Sequence, residues 1–250
     1  MPTDIEQLSR LWDRFDYKAI VAFTGYKDRY DSLQVELQRI GMNRNVSTHW
    51  DFPTPYSQIL LRNVPMTRYN SHHSCFNIGM NNYRAIATAY YLGCNNCLIM
   101  EDDVRFLKDT KLLEEIVTSI PQDYDLALLD NNKPCGMSPD IYFDIFKNPV
   151  APHWFRFTNL RSTGCYSMSR RCMERYMKLF EAPAFGRSIL CNPDGYFRVE
   201  CLGHDANLYV ANPAIALQKM YPTSHCSNRK MNEYYELHNK IDASPQKYNI

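Results

Sequence analysis

The chain has 250 residues, a formal net charge of +1, 45% hydrophobic residues and 22% charged residues. These values predict a single globular domain over 1–250, with its core at about 19–225 and a polar tail at 226–250. A charge this close to zero excludes a general electrostatic attraction for nucleic acid or for an anionic membrane.

The amino-terminal sequence and the cysteines predict the compartment. "MPTDIEQLSRLWDRF" is charged and polar, unlike a signal peptide, and the nearby apolar run "AIVAF" is too short to cross a bilayer. Nine cysteines at irregular spacing indicate free thiols rather than a disulfide framework. We therefore predict a cytoplasmic protein without a transmembrane segment, in which the cysteines of "CNNC" (94–97) are structural.

The first part of the chain alternates helical and strand patterns. Apolar residues at helical spacing over 5–15 predict a helix, and "AIVAFT" (19–24) predicts a buried strand. A second helix follows and ends at Gly41. Residues 43–75 are predicted to be irregular, and the next helix is predicted at about 82–91.

The second part continues the alternation. The predicted elements are a strand at 97–100, a helix near 111–120, a strand in 124–130, an irregular stretch at 131–160, a strand in "GCYSMS" (164–169), a helix capped by Ser169, and a final strand or pair in "LYVANPAIALQK" (208–219). This order predicts an α/β fold with three layers, α/β/α, around a mixed, mostly parallel sheet. Ligands of such sheets bind outside the carboxyl ends of the strands.

Three consecutive acids, Glu101, Asp102 and Asp103, directly follow the strand predicted at 97–100. Adjacent carboxylates repel one another, and Mg²⁺ or Mn²⁺ binds one or two carboxylates while water and phosphates complete its shell. In an extended segment Glu101 and Asp103 would share a face. A solvated acidic turn would show the same pattern, so the acids alone leave both interpretations open.

Six motifs occur in order between about residues 19 and 225. They are "AIVAFTGYKDRYDSLQVELQRIGM", "CFNIGMNNYRAIATAYYLGCNNCLIMEDDV", "YDLALLD", "STGCYSMSRRCMERYMKLF", "NPDGYF" and "NPAIALQ". In this order they resemble glycosyltransferase family 25, the lipooligosaccharide and collagen galactosyltransferases with the GT-A fold. The chain has Ile78-Gly79 where that family usually has Ser-His, which indicates a divergent member.

The resemblance implies an enzyme that moves a hexose, with galactose favoured, from a UDP-sugar donor to a hydroxyl of a glycan or protein-linked acceptor. Its cofactor would be Mn²⁺ or Mg²⁺. Asp103 would be the direct metal ligand, and Glu101 or Asp102 would hold the ribose of the donor or a metal-bound water. Glu101 and His225 are further candidate ligands. A solvated histidine in the tail is the alternative for His225.

The remaining predicted roles concern the base and the nucleotide. Asp194, in "NPDGYF", is the candidate general base that takes the proton of the acceptor hydroxyl in an inverting transfer, although Asn-Pro-Asp-Gly also favours a simple turn. Thr24, Tyr26 and Arg29 follow the first strand, where they would contact the nucleotide, and Arg84 would reach the diphosphate.

Two other functions fit part of the pattern. A catalytically silent module could bind the sugar nucleotide without transferring the sugar. A metal-dependent phosphohydrolase or nucleotidyltransferase could use the same acids, but a two-metal site requires a second acidic cluster. Asp125, Asp130 and Asp194 are available for it, and none of them is paired in the sequence.

Overall fold

The computed structural model describes residues 4–50, 73–130, 145–158, 163–181 and 202–218. The helices in these ranges are α1 (Asp4–Leu11), α2 (Lys27–Arg39), α3 (His73–Tyr91), α4 (Thr110–Thr118) and α5 (Arg170–Glu181), with 3-10 turns at Trp12–Arg14 and Ile145–Lys147. The strands are β1 (Tyr17–Ala22), β2 (Val46–Trp50), β3 (Asn96–Glu101), β4 (Val104–Phe106), β5 (Leu126–Leu128), β6 (Pro149–Ala151), β7 (Trp154–Arg156), β8 (Cys165–Ser169), β9 (Leu208–Ala211) and β10 (Ala216–Gln218).

Within the described ranges, eight strands form one sheet in the order β2-β1-β3-β8-β5-β9-β7-β6. The β1–β2, β1–β3 and β5–β9 pairs are parallel, whereas β8 is antiparallel to β3 and β5, and β7 is antiparallel to β9 and β6. Only β8 and β7 therefore run against the other strands of this sheet. β4 and β10 form a separate antiparallel pair. The prediction of a mixed, mostly parallel sheet is confirmed.

Helices cover both faces of this sheet, because its inner strands are apolar on both sides. All six residues of β1 are buried. Ile20 belongs to the same buried cluster as Leu33 of α2, on one face. Its neighbour Val21 belongs to the cluster that contains Ile86 of α3, on the other face. The predicted three layers are thus present, and the continuous apolar runs of the inner strands follow from burial on both faces.

Two predicted helix ends are confirmed. α2 stops at Arg39, and Gly41 adopts a φ of 72°, a left-handed conformation that glycine adopts without a steric cost. At the start of α5, the hydroxyl of Ser169 accepts a hydrogen bond from the backbone N–H of Cys172 at 3.2 Å.

Four elements differ from the sequence prediction. β2 lies in the stretch 43–75 that was predicted to be irregular, and β6 and β7 lie in the irregular stretch 131–160. Helix α3 begins at His73 rather than near 82. β2 and β6 are the two outermost strands of the sheet, and neither is fully buried, so they lack the apolar runs by which the inner strands were recognised.

Four cysteines are described with their side chains, and none of them forms a disulfide bond. Cys94, Cys97, Cys165 and Cys172 are free thiols. Burial raises the pKa of the Cys97 thiol to about 12, and it also raises the pKa of Cys94. Reactive cysteines have lowered pKa values, so the raised pKa values of Cys94 and Cys97 favour the predicted structural role of the pair in "CNNC". Among the described helices, none has the length and apolarity that a membrane crossing requires.

Candidate active site

The ends of several strands converge at one edge of the main sheet. β1, β3 and β5 end there, and β8 begins there because it is antiparallel to β3 and β5. β10 is held at the same edge, because the backbone N–H of Ala216 donates to the carbonyl of Leu129, just after β5, at 3.1 Å. The three predicted acids follow β3, so this edge is the candidate active site.

Glu101 is almost completely buried, with 9% of its surface exposed. Its Oε1 accepts a hydrogen bond from the hydroxyl of Thr163 at 2.5 Å, and its Oε2 accepts one from the side-chain amide of Gln218 at 2.8 Å. Its backbone N–H donates to the carbonyl of Gly164 at 2.8 Å. Both carboxylate oxygens therefore have partners within the protein. That Glu101 binds the metal or the ribose stays a prediction.

Asp102 lies in the turn after β3 and is 2% exposed. Its Oδ2 accepts a hydrogen bond from the backbone N–H of Phe23 at 3.0 Å, which ties the turn to the end of β1. Burial raises the pKa of Asp102 to about 6, although the Phe23 N–H and the charge of Arg29 partly lower it. The folded protein thus holds this carboxylate ionised at neutral pH at a cost in stability.

Asp103 has the most unusual environment of the three acids. Its Oδ2 lies 3.4 Å from Nη1 of Arg29. Its Oδ1 is buried and has no hydrogen-bond partner among the described residues. Burial raises the pKa of Asp103 well above its usual range, and the charges of Glu101 and Asp102 raise it further, while Arg29 opposes the shift. A bound cation would reverse this electrostatic situation.

Arg29, near the start of α2, neutralises part of the acidic cluster. The residue is 7% exposed, and the same Nη1 lies 4.0 Å from Oδ1 of Asp102. Its guanidinium carbon lies 4.2 Å from the centre of the Tyr26 ring, a cation–π distance. The sequence predicted that Arg29 and Tyr26 contact a nucleotide, and the structure places Arg29 beside Asp103 and the Tyr26 ring against Arg29.

Gly164 and Asp130 approach each other closely at this edge of the sheet. Asp130 follows β5 and is fully buried. A Cβ atom at Gly164 would lie well inside the van der Waals contact of Oδ2 of Asp130 and 3.1 Å from Cγ of Gln218. Glycine therefore leaves the space that the Asp130 carboxylate occupies.

The other predicted residues have different locations. Thr24 is exposed in the turn after β1. Arg84 lies on α3, and its Nη1 donates to the carbonyl of Trp50 at the end of β2 at 2.9 Å, so it lies at the same edge of the sheet. Asp194 and His225 lie outside the described residues.

Two residues that complete this edge, Thr163 and Gln218, were assigned no role from the sequence, and Asp130 was considered only for a second metal cluster. Thr163 and Gln218 lie within the motifs "STGCYSMS" and "NPAIALQ", and Asp130 ends the strand "YDLALLD". The signal was present for Asp130, because an acid directly after a buried strand marks a carboxyl end of the sheet. The partners of Thr163 and Gln218 depend on which strands are neighbours, which the motifs alone do not show.

The second acidic cluster of a two-metal site does not form around Asp125. That residue precedes β5, whereas the candidate site follows it, so the two lie at opposite edges of the sheet. Nε of Arg171 donates to Oδ1 of Asp125 at 2.7 Å, and the backbone N–H of Asn207 donates to its Oδ2 at 2.8 Å. Asp125 therefore belongs to a structural network.

The described residues contain no group of three or more His, Cys, Asp or Glu side chains arranged to hold a metal ion. The donors present nevertheless suit a hard cation, because Asp103 offers a buried carboxylate oxygen that lacks a hydrogen-bond partner in the described part of the chain. Ions such as Mg²⁺ often take only one or two protein carboxylates and complete their shell with water and substrate phosphates. The residues present fit an ion that is shared with a substrate.

Comparison with known proteins gives similarity to solved structures alone. No family model and no curated protein matches the chain. A glycosyltransferase involved in the glycosylation of the major capsid of PBCV-1 aligns with 88% of this chain and 99% of its own, at 12% identity and a TM-score of 0.36. Mannose-1-phosphate geranyltransferase from Thermus thermophilus aligns with 78% of this chain and 73% of its own, at 9% identity and a TM-score of 0.37.

The glycosyltransferase GlyE of Streptococcus pneumoniae TIGR4, in its apo form, aligns with 88% of this chain and 60% of its own, at 13% identity and a TM-score of 0.34. At TM-scores below 0.5 these alignments carry no argument about this chain.

Proposed function

We propose that this protein is a metal-dependent glycosyltransferase that moves a hexose from a UDP-sugar to a hydroxyl of a glycan or protein-linked acceptor. Galactose is the favoured hexose and inversion the favoured stereochemistry, because the motif order resembles glycosyltransferase family 25. Four of the six motifs contribute residues to the same edge of the sheet: Arg29, Glu101 to Asp103, Asp130, and Thr163 with Gly164. A fifth, "NPAIALQ", contributes Gln218.

The buried Oδ1 of Asp103 carries this proposal. A buried polar atom without a hydrogen-bond partner costs about 1–3 kcal/mol, and a charged one costs more. Native proteins rarely leave such an atom without a partner, so Asp103 is expected to gain one in the functional state. A divalent cation bound together with the donor diphosphate would coordinate this oxygen in place of a hydrogen bond.

Each of these residues, and Asp194 from outside the described ranges, has a separate proposed role. Asp103 would hold the Mn²⁺ or Mg²⁺ ion, and when bound the ion would stabilise the charge of the departing diphosphate as a Lewis acid. Arg29 would lie beside the phosphates, and Tyr26 keeps its guanidinium in place. Asp194 is proposed as the base that accepts the proton of the acceptor hydroxyl as its oxygen attacks the anomeric carbon.

Calorimetric titration of UDP in the presence of Mn²⁺ tests the proposal. The Asp103→Asn variant should lose more than about 100-fold in Mn²⁺-dependent UDP affinity, because even indirect partners of a metal ligand account for about 10–100-fold. Asp205→Asn is the matched control, since Asp205 is an exposed acid paired with Arg175 away from the candidate site. Equal UDP affinity in Asp103→Asn and the control would contradict the metal role of Asp103.

A thermal-shift panel of nucleotide sugars, with Mn²⁺ and with EDTA, then tests the donor. Stabilisation by UDP-sugars is expected, and stabilisation by GDP or CMP sugars instead would overturn the choice of donor. Release of UDP from UDP-galactose that increases with added acceptor indicates transfer. Donor binding without any turnover would identify the catalytically silent module. UDP release that does not increase with any added acceptor would favour a hydrolase.

A further inference from the structure

Gln218 contacts both ends of the turn that carries Asp102 and Asp103. This turn leaves β3 at Glu101 and enters β4 at Val104. The side-chain amide of Gln218 donates to Oε2 of Glu101 at 2.8 Å, at the first end. The backbone of Gln218 pairs with Val104 in the β4–β10 ladder, at the second end.

The carboxylate of Glu101 is bound on both sides by the protein. Thr163, just before β8, donates to Oε1 at 2.5 Å, and Gln218 occupies Oε2. Only 9% of Glu101 is exposed. A metal ion or a ribose hydroxyl at this carboxylate would have to share an oxygen that already accepts a hydrogen bond, whereas Oδ1 of Asp103 accepts none in the described part of the chain.

We infer that Glu101 and Gln218 are positioning residues, which hold the Asp102–Asp103 turn in its binding geometry and do not themselves touch the metal or the nucleotide. This inference rests on the proposed function for its ligand. It assigns Glu101 a different role from that of Asp103, although the two residues are only two positions apart. Errors of about 1 Å in such a site reduce function strongly, which is why a fixed support for the turn matters.

An exchange of the two side chains separates positioning from direct binding. Gln218→Glu places a second carboxylate against Glu101, and two carboxylates in contact repel each other. Adding Glu101→Gln restores an amide–carboxylate hydrogen bond with the donor and acceptor exchanged. The carbonyl oxygen of the new amide still accepts the hydroxyl of Thr163, so the geometry of the turn is recovered without a charge at position 101.

The test measures the affinity of the full chain for UDP with Mn²⁺ by calorimetry and its thermal unfolding by circular dichroism. Gln218→Glu should weaken the affinity by about 10–100-fold, the usual effect of losing an indirect partner of a metal site. The double variant should bind at least about tenfold more tightly than Gln218→Glu. If Glu101 is instead a direct ligand, the double variant binds no more tightly than Gln218→Glu, and the inference is overturned.

A stability control distinguishes positioning from a general weakening of the fold. Arg171→Met removes a partner of the buried Asp125 at the opposite edge of the sheet, so it should lower the thermal midpoint without changing UDP affinity. An equal loss of affinity in Arg171→Met would overturn the positioning role.

The thermal-unfolding measurement distinguishes failure of this inference from failure of the proposed function. If the wild type binds no UDP with Mn²⁺, the proposed function fails. The exchange is then judged by the thermal midpoint alone, which Gln218→Glu should lower and the double variant should restore. A double variant that is no more stable than Gln218→Glu would overturn the pairing as well.

Discussion

Gly164→Ala tests the close approach beneath the candidate active site. The added Cβ would lie well inside the van der Waals contact of Oδ2 of Asp130, 3.4 Å from Cγ of the same residue and 3.1 Å from Cγ of Gln218. Asp130 is fully buried, so its carboxylate has little space into which to retreat. Displacing this carboxylate would disturb the chain at Gly164, whose carbonyl accepts a hydrogen bond from the backbone N–H of Glu101.

The expected cost follows from these contacts. Overpacking a buried site by one methyl group costs about 1–3 kcal/mol. The loss of glycine's freedom in the unfolded chain returns about 0.4–1 kcal/mol. Gly164→Ala should therefore lower the free energy of unfolding by about 1.3 kcal/mol, the difference between the middles of these two ranges, and by about 2.6 kcal/mol at most. Gly25→Ala is the matched control, because nothing lies within 4 Å of a Cβ at that position, so it should keep the gain from the unfolded chain and be neutral to about 1 kcal/mol more stable.

Urea denaturation of four proteins measures the effect: the wild type, Gly164→Ala, Asp130→Ala and the double variant. Removing the Asp130 carboxylate relieves the contact, so the two changes should couple by about 1–3 kcal/mol, with the double variant more stable than additivity predicts. Additive effects, or a Gly164→Ala variant as stable as Gly25→Ala, would show that this glycine is not required for space.

Three further predictions concern charge and catalysis. Burial and the charge of Arg84 lower the pKa of His49 to about 4, so the neutral form is favoured by folding. The contribution of neutral His49 to the free energy of unfolding is fully present above pH 6.5. The free energy of unfolding should fall by no more than about 3 kcal/mol as the pH is lowered from 6.5 to 4. His49→Gln should flatten this slope in urea denaturation. The pKa of Asp102 is raised from 3.8 to about 6 in the folded protein. Ionisation of this group therefore destabilises the fold above pH 6, and it has no effect below pH 3.8, where the group is protonated in both states. Asp102→Asn in EDTA should raise the thermal midpoint at pH 7.5, where ionisation costs up to about 3 kcal/mol, but not at pH 3.5. An equal rise at both pH values would refute this. Asp194→Asn should reduce the initial rate of UDP release by about 10²-fold while UDP affinity survives. Near-normal turnover would show that Asp194 is not the base and would favour the alternative that it is a simple turn residue.

The inner strands and the position of the acids could be predicted from the sequence for one reason. β1, β3 and β5 are buried on both faces, so each contains a short continuous apolar run that stands out from its surroundings. Glu101 to Asp103 directly follow such a run, and the sheet rule places them at its carboxyl edge. These predictions require local information only.

The other strands and contacts depend on which strands lie next to each other in the sheet, and the sequence does not show this order. β2 is stabilised by its pairing with β1, and its own residues are only partly buried, so its pattern is weak. Thr163 and Gln218 were missed for a related reason. Their hydrogen bonds to Glu101 span 62 and 117 positions of the chain. Such contacts follow from the order of strands in the sheet, which no single motif contains.

The long separation between Glu101 and Gln218 also bears on the order of folding. The strand order places β9 between β5 and β7, and only a few residues separate β9 from β10. A chain emerging from the ribosome can pair β1 with β3 long before residues 208–218 are made, and contacts this distant in sequence are slow to close. The acidic turn consequently exists without its support for much of synthesis. Completion of the sheet and completion of the site are the same late event, so an unfinished chain is expected to have neither.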